Sequence, residues 1–183
     1  MKVILASSSP RRKELLKEIF SDFEILSPDC EEKVSKSPIK TVLSVALSKA
    51  DCIRKDYDIL LSADTIVVYR NKIIGKPLNE LDAKNILSRI EGKTHKVYTG
   101  VCIKYKLNGS VFTKTFYDCS KVKMKKMSFD DITRYVETGS PLDKAGAYGI
   151  QDGVVEKYFG SYTNIVGLPV EKIQKELTKL GLI

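Results

Sequence analysis

Hydrophobic and polar positions follow two different periods along the chain, and these periods predict strands and helices. The strongest strand pattern is a near-continuous apolar run at residues 58–69, which is typical of a central strand covered on both faces. Short strand patterns occupy residues 3–6, 23–26 and 154–158, and two long ones occupy residues 95–107 and 111–124. Helical spacing covers residues 10–20, 38–57, 80–91, 128–138 and 170–180, and glycine-punctuated loops fill residues 140–153 and 160–169.

The turn after the first strand has an unusual distribution of charge. It reads Ser7-Ser8-Ser9-Pro10-Arg11-Arg12, in which Ser9 suits an N-cap and Pro10 the first helical position. Arg11 and Arg12 then lie at the positive end of the helix dipole, where cations are unfavourable. A bound phosphate would compensate them, since hydroxyls, free N–H groups and guanidinium groups all bind it. The alternative is a solvated pair of arginines.

A lysine interrupts the apolar face of the second predicted helix. Val45, Ala46 and Ile53 share that face at helical spacing, and Lys49 lies among them. Lys49 is therefore either a functional residue or a lysine at the edge of the core whose ammonium group reaches water.

Asp64 and Thr65 interrupt the apolar strand at residues 58–69. A carboxylate inside a core is costly unless it meets a cation, a metal or hydrogen-bond donors. Asp64 is therefore the best candidate for a catalytic or metal-binding acid.

Two later segments carry candidate ligand-binding residues. Gly75-Lys76-Pro77 ends a predicted hairpin and lacks the pattern of a Walker A motif, which leaves Lys76 on a constrained loop. The loop at residues 140–153 carries Lys144 and Gln151, and an amide such as that of Gln151 can read a base edge.

An acidic segment follows the strand at residues 23–26. Asp29, Glu31 and Glu32 could hold a hard cation through carboxylate oxygens, or could form a solvated acidic turn.

Composition limits the classes of function. The net charge of +8 favours anionic partners, whether nucleic acid, an acidic membrane or phosphorylated ligands. The four cysteines lack metal-ligand spacing, and His95, the single histidine, is predicted to make a hydrogen bond at the start of a strand. With 183 residues and no signal peptide or membrane span, we expect one cytoplasmic domain with reduced thiols and no membrane partner.

Six motifs in sequence order resemble those of the Maf family of nucleoside triphosphate pyrophosphatases. They are Ser7 to Arg12, Lys49-Ala50, Ser62-Ala63-Asp64-Thr65, Gly75-Lys76-Pro77, residues 143–151 and Gly167-Leu168-Pro169. The resemblance implies a single α/β domain with a long curved mixed sheet, flanking helices and a central nucleotide-binding cleft. It also implies hydrolysis of a nucleoside triphosphate to the monophosphate and pyrophosphate with Mg²⁺ or Mn²⁺, and a homodimer.

The resemblance also assigns roles to individual residues. Arg12, Thr65 and Gln151 match the branch that acts on dTTP and UTP, and Asp64 matches the proton acceptor. Glu31 matches, together with Asp64, a metal-side position. The phosphate-side residues are Ser7, Arg11, Arg12, Lys49, Lys76 and Lys144.

Two alternatives remain at this point. A nucleotide-binding regulator of cell division without catalysis would use the same residues. A nucleic-acid binder would exploit the positive charge, but the basic residues are not clustered with aromatic residues as single-strand binding requires, so we expect no nucleic-acid partner.

Overall fold

Strands and helices are described for residues 1–30 and 35–183 in a computed structural model. The strands are β1 (Val3–Ala6), β2 (Glu24–Leu26), β3 (Ile59–Tyr69), β4 (Lys72–Ile74), β5 (Thr94–Leu107), β6 (Ser110–Met124) and β7 (Val155–Phe159). The α-helices are α1 (Pro10–Leu16), α2 (Pro38–Asp51), α3 (Glu80–Ile90), α4 (Phe129–Glu137), α5 (Tyr162–Val166) and α6 (Val170–Lys179). Short 3-10 turns span Ser140–Asp143, Ala145–Ala147 and Ile150–Asp152.

The strands form one mixed sheet, as expected for an α/β protein. Their order is β2-β1-β3-β5-β6-β7, and β4 pairs with β3 outside this path. β1 is parallel to both β2 and β3, whereas β4 is antiparallel to β3 and β7 is antiparallel to β6. The predicted α/β class with a mixed sheet is confirmed.

The chain divides into two compact units. The first contains Met1–Asp64, Thr99–Asp118 and Thr163–Ile183, and the second contains Thr65–Tyr98 and Cys119–Tyr162. The expectation of one domain over residues 1–183 stays a prediction.

In the first unit the central strands are buried on both faces, as the apolar run predicted. Leu5 and Leu61 point to a core that also contains residues of α1 and α6. Ile4 and Leu60 point to the opposite core, which contains residues of α2. Because alternate residues of a strand face opposite sides, each strand here requires apolar residues at every position.

In the second unit, α3 and α4 pack against each other, and the hairpin of β3 and β4 adds to the sheet. Arg70 and Asn71 form the hairpin turn, with φ of 48° and 62°. A capping box at Ser128 and Asp131 begins α4, the helix predicted from residue 128.

Three elements differ from the prediction. α1 ends at Leu16 and not at residue 20. α2 ends at Asp51 and not near residue 57, because the N–H of Asp58 donates to the carbonyl of Lys2 as β3 begins beside β1. The loop predicted at residues 160–169 contains the short helix α5. Among the described residues, no helix is both long and apolar enough to cross a membrane, and the four cysteines are free thiols.

His95 makes the structural hydrogen bond that its position predicted. Its side chain is only 2% exposed, and Nε2 lies 2.7 Å from the Tyr148 hydroxyl. Burial lowers the pKa of His95 from 6.5 to about 4. The imidazole is therefore neutral in the folded protein near neutral pH.

We expect His95 to make the fold less stable in acid. The folded-state pKa lies below the unfolded value, so stability is fully present above pH ~6.5 and is lost as the pH falls towards ~4. The loss is about 3 to 4 kcal/mol, since the two pKa values differ by roughly 2.5 and each unit corresponds to ~1.4 kcal/mol. Urea unfolding at several pH values measures it, and His95→Phe is the control, since that variant is expected to lose the pH dependence between ~5 and ~6.5. Equal pH slopes for the two proteins would contradict this account.

Candidate active site

The candidate site of the first unit lies where β1 ends beside the parallel strand β3. The two strands pair in register, with Ala6 opposite Ser62. Ser7 follows β1 directly and Asp64 follows Ser62 by two residues, so both lie at this end of the pair. Ligands of open α/β sheets bind at the carboxyl ends of strands.

Ser7 and Arg12 are joined by hydrogen bonds in the turn that follows β1. The Ser7 hydroxyl oxygen accepts from Arg12 Nη1 at 3.3 Å and from the Ser9 N–H at 3.2 Å. Arg12 Nε donates to the carbonyl of Gly167 at 2.8 Å. Ser9 is the N-cap of α1 and Pro10 its first residue, as predicted.

The hydrogen-bond partners of Arg12 offset part of the unfavourable interaction between its charge and the dipole of α1. The carbonyl of Gly167 supplies negative partial charge to a guanidinium group near the positive end of the helix dipole. Gly167 belongs to a motif far along the chain, so this contact also joins two of the motifs that carry the family resemblance.

Lys49 and Asp64 form an ion pair. Lys49 Nζ lies 2.9 Å from Asp64 Oδ1, and both side chains are 13% exposed. The Ser62 hydroxyl donates to the carbonyl of Ala46 at 2.6 Å, which fixes α2 against β3 beside this pair. The structure thus brings Asp64 to a cation in a partly dehydrated position, where ion pairs are stronger than at the surface.

The second unit contains the other predicted phosphate-side lysines. The Gly146 N–H donates to the carbonyl of Gly75 at 3.0 Å, so the segment that carries Lys76 lies beside the segment that carries Lys144. Gly146 has φ of +73°, and a Cβ there would lie 2.8 Å from a Val67 methyl carbon. The positive φ and the close approach of Gly146 to Val67 on β3 therefore require glycine at this position.

Lys144 and Gln151 differ in exposure. Lys144 Nζ donates to Asp143 Oδ1 at 2.8 Å and to the Ser140 hydroxyl at 3.1 Å, and its side chain is mostly buried. Gln151 lies in a 3-10 turn and is exposed. Thr65 is partly buried on β3.

The sequence interpretation assigned no role to Asp152, but the structure places it at the centre of a hydrogen-bond network. Its Oδ2 accepts from the Tyr135 hydroxyl at 2.6 Å and from the Ser140 hydroxyl at 2.7 Å. Burial, followed by the hydrogen bond to Asp152, raises the pKa of Tyr135. An acid next to Gln151 in a glycine-rich loop was the available signal.

The predicted metal ligands are described only in part. Glu31 lies outside the described residues, and within residues 1–30 and 35–183 no group of three or more His, Cys, Asp or Glu side chains could hold a metal ion. Mg²⁺ commonly binds one or two carboxylates together with substrate phosphates and water. Asp64, a carboxylate on β3 just beyond the end of β1, fits that mode of binding.

Comparison with known proteins extends over nearly the whole chain. A family model described as Maf-like protein matches residues 2–180. A dTTP/UTP pyrophosphatase of Dictyoglomus thermophilum is 44% identical over 187 residues, which cover 98% of this chain and 96% of the relative. The dTTP/UTP pyrophosphatase of Bacillus thuringiensis subsp. konkukian is 44% identical over 189 residues, which cover 99% of this chain and 96% of the relative.

Proposed function

The chain belongs to the Maf family, and on that premise we propose that it hydrolyses dTTP and UTP to the nucleoside monophosphate and pyrophosphate. The observation that carries the proposal is the Lys49–Asp64 pair just beyond the end of β1, in the same unit as the linked Ser7 and Arg12. The names of relatives at 43–44% identity support the choice of substrates.

Residues of the first unit are assigned to the phosphates. The Ser7 hydroxyl oxygen already accepts two hydrogen bonds, which leaves its hydrogen to donate to a phosphate oxygen. Arg11, Arg12 and Lys49 would neutralise triphosphate charge and stabilise the charge that develops on the departing pyrophosphate. In the second unit, Lys76 and Lys144 are assigned the same task.

Asp64 is assigned the task of positioning and deprotonating the attacking water. Its carboxylate would orient that water and accept its proton as the water oxygen approaches the α-phosphorus. Lys49 holds one carboxylate oxygen in place. Positioning of the water against the phosphorus supplies much of the effect of Asp64.

A divalent cation, Mg²⁺ or Mn²⁺, is part of the proposal, with Asp64 and Glu31 as its protein ligands. When bound, such an ion acidifies water and neutralises phosphate charge. Arg12, Thr65 and Gln151 are proposed to determine base preference, as in the family branch that they match. A cytoplasmic location, a homodimer and the absence of a nucleic-acid partner stay predictions.

The proposal is tested by incubating the protein with Mg²⁺ and a panel of nucleoside triphosphates while pyrophosphate and orthophosphate are measured separately. We expect pyrophosphate, released preferentially from dTTP and UTP. Orthophosphate as the product would contradict cleavage at the α-phosphorus. No release from any nucleotide would favour the binding-only regulator.

A further inference from the structure

We infer that Asp152 is a positioning residue that sets base selectivity by fixing the turn that presents Gln151. The inference rests on the proposed function, because it assigns Gln151 to the base. It concerns only the second unit, and every contact that carries it lies in that unit.

The first observation is that one carboxylate oxygen holds two separate segments. Tyr135 on α4 and Ser140 in the following 3-10 turn both donate to Asp152 Oδ2, at 2.6 and 2.7 Å. Hydrogen bonds from neutral donors to a carboxylate are stronger than those between neutral groups. Asp152 therefore attaches the end of the glycine-rich loop to α4 and to the start of the same loop.

The second observation is that both predicted ligand residues of the loop depend on these attachments. The Ser140 hydroxyl also accepts from Lys144 Nζ at 3.1 Å, so the carboxylate orients a hydroxyl that orients a lysine. Gln151 precedes Asp152 directly, and the Asp152 N–H donates to the carbonyl of Gly149 at 3.1 Å to close the turn. The exposed Gln151 therefore lies in a turn that is held in place by the side chain of the next residue, Asp152.

The third observation is that the backbone leaves room for this carboxylate. A Cβ at Gly149 would lie 2.8 Å from Asp152 Oδ2. The N–H of Gly149 donates to the Tyr135 oxygen at 3.1 Å, so the same tyrosine holds both ends of the turn. A buried glycine and three hydrogen bonds arranged around one carboxylate are typical of a preorganised support for a binding residue.

The test compares the kcat and KM of wild type, Asp152→Ala and Asp152→Asn with dTTP and with dATP. For Asp152→Ala we expect KM for dTTP to rise about tenfold and the preference for dTTP over dATP, as a ratio of kcat/KM, to fall about tenfold. The value of kcat should change less, since Asp152 contacts no reacting atom. Asp152→Asn should recover part of the preference, because its amide oxygen still accepts from both hydroxyls.

The matched control is Asp131→Asn, which removes the carboxylate of the capping box that begins α4 in the same unit. It should lower thermal stability without changing the dTTP preference. If Asp152→Ala does not fold, Tyr135→Phe takes its place, since it removes one donor to the carboxylate and should lower the preference in the same direction.

Suppose that the wild-type protein is active and that Asp152→Ala, or Tyr135→Phe where it is used, keeps the same preference for dTTP over dATP. That result would overturn this inference and leave the proposed function intact. A loss of preference in Asp131→Asn equal to that in the network variant would overturn it too, because it would show a general effect of destabilisation. A wild-type protein that releases no pyrophosphate from dTTP would instead overturn the proposed function, and this inference with it.

Discussion

Asp64→Asn is expected to lower the turnover of dTTP about a thousandfold, the middle of the range for loss of a general base. The amide keeps the size of the carboxylate, and its oxygen can still accept from Lys49, which now donates to Asp64 Oδ1 at 2.9 Å. The fold should therefore persist. Nucleotide should bind as well as before or more tightly, because a negative charge beside Lys49 has been removed.

Steady-state kinetics and titration with dTTP measure the two effects separately. Asp51→Asn is the matched control, since Asp51 also forms an ion pair with a lysine, Lys104, in the same unit, but its side chain is 53% exposed. Its turnover should match that of wild type. Full activity in Asp64→Asn, or loss of dTTP binding together with turnover, would remove Asp64 from the proposed chemistry.

Gly100→Ala is expected to destabilise the fold by about 3 kcal/mol or more, at the upper end of the costs of overpacking. A Cβ at Gly100 would lie 2.3 Å from the carbonyl oxygen and 2.5 Å from the carbonyl carbon of Val42. These atoms belong to the backbone of α2, so no side-chain rotation relieves the clash. The helix that carries Lys49 would have to move, and turnover should fall as well.

Urea unfolding followed by circular dichroism measures the change, with Gly75→Ala as the control. Gly75 has no atom within 4 Å of an added Cβ, and its φ is not positive, so its unfolding free energy should change by less than ~0.5 kcal/mol. Equal unfolding free energies for Gly100→Ala and Gly75→Ala would contradict the close packing of α2 on β5.

Much of the fold follows from local pattern. The near-continuous apolar run of β3, the caps of α1, α2 and α4 and the turn at Arg70-Asn71 depend on residues close in sequence, and all were predictable. The end of α2 depends instead on a hydrogen bond between Asp58 and Lys2, which are far apart in sequence. Periodicity alone cannot reveal such a contact.

Some residues of the candidate site could likewise be identified from the sequence, and others could not. Lys49 and Asp64 stood out because each has a charge in an apolar pattern, and the structure pairs them. The catalytic and binding roles given to these and the other site residues stay predictions. Asp152 does not interrupt an apolar pattern, since an acid in a polar loop is ordinary. Only the positions of Tyr135 and Ser140 in the structure reveal the hydrogen bonds that its carboxylate accepts.

The most direct test of the central claim is hydrolysis of dTTP in water enriched in ¹⁸O, followed by mass spectrometry of both products. Attack of water at the α-phosphorus predicts one ¹⁸O atom in dTMP and none in pyrophosphate. Label in pyrophosphate, or release of orthophosphate with dTDP, would contradict the account, since water would then attack a phosphorus other than the one assigned to Asp64.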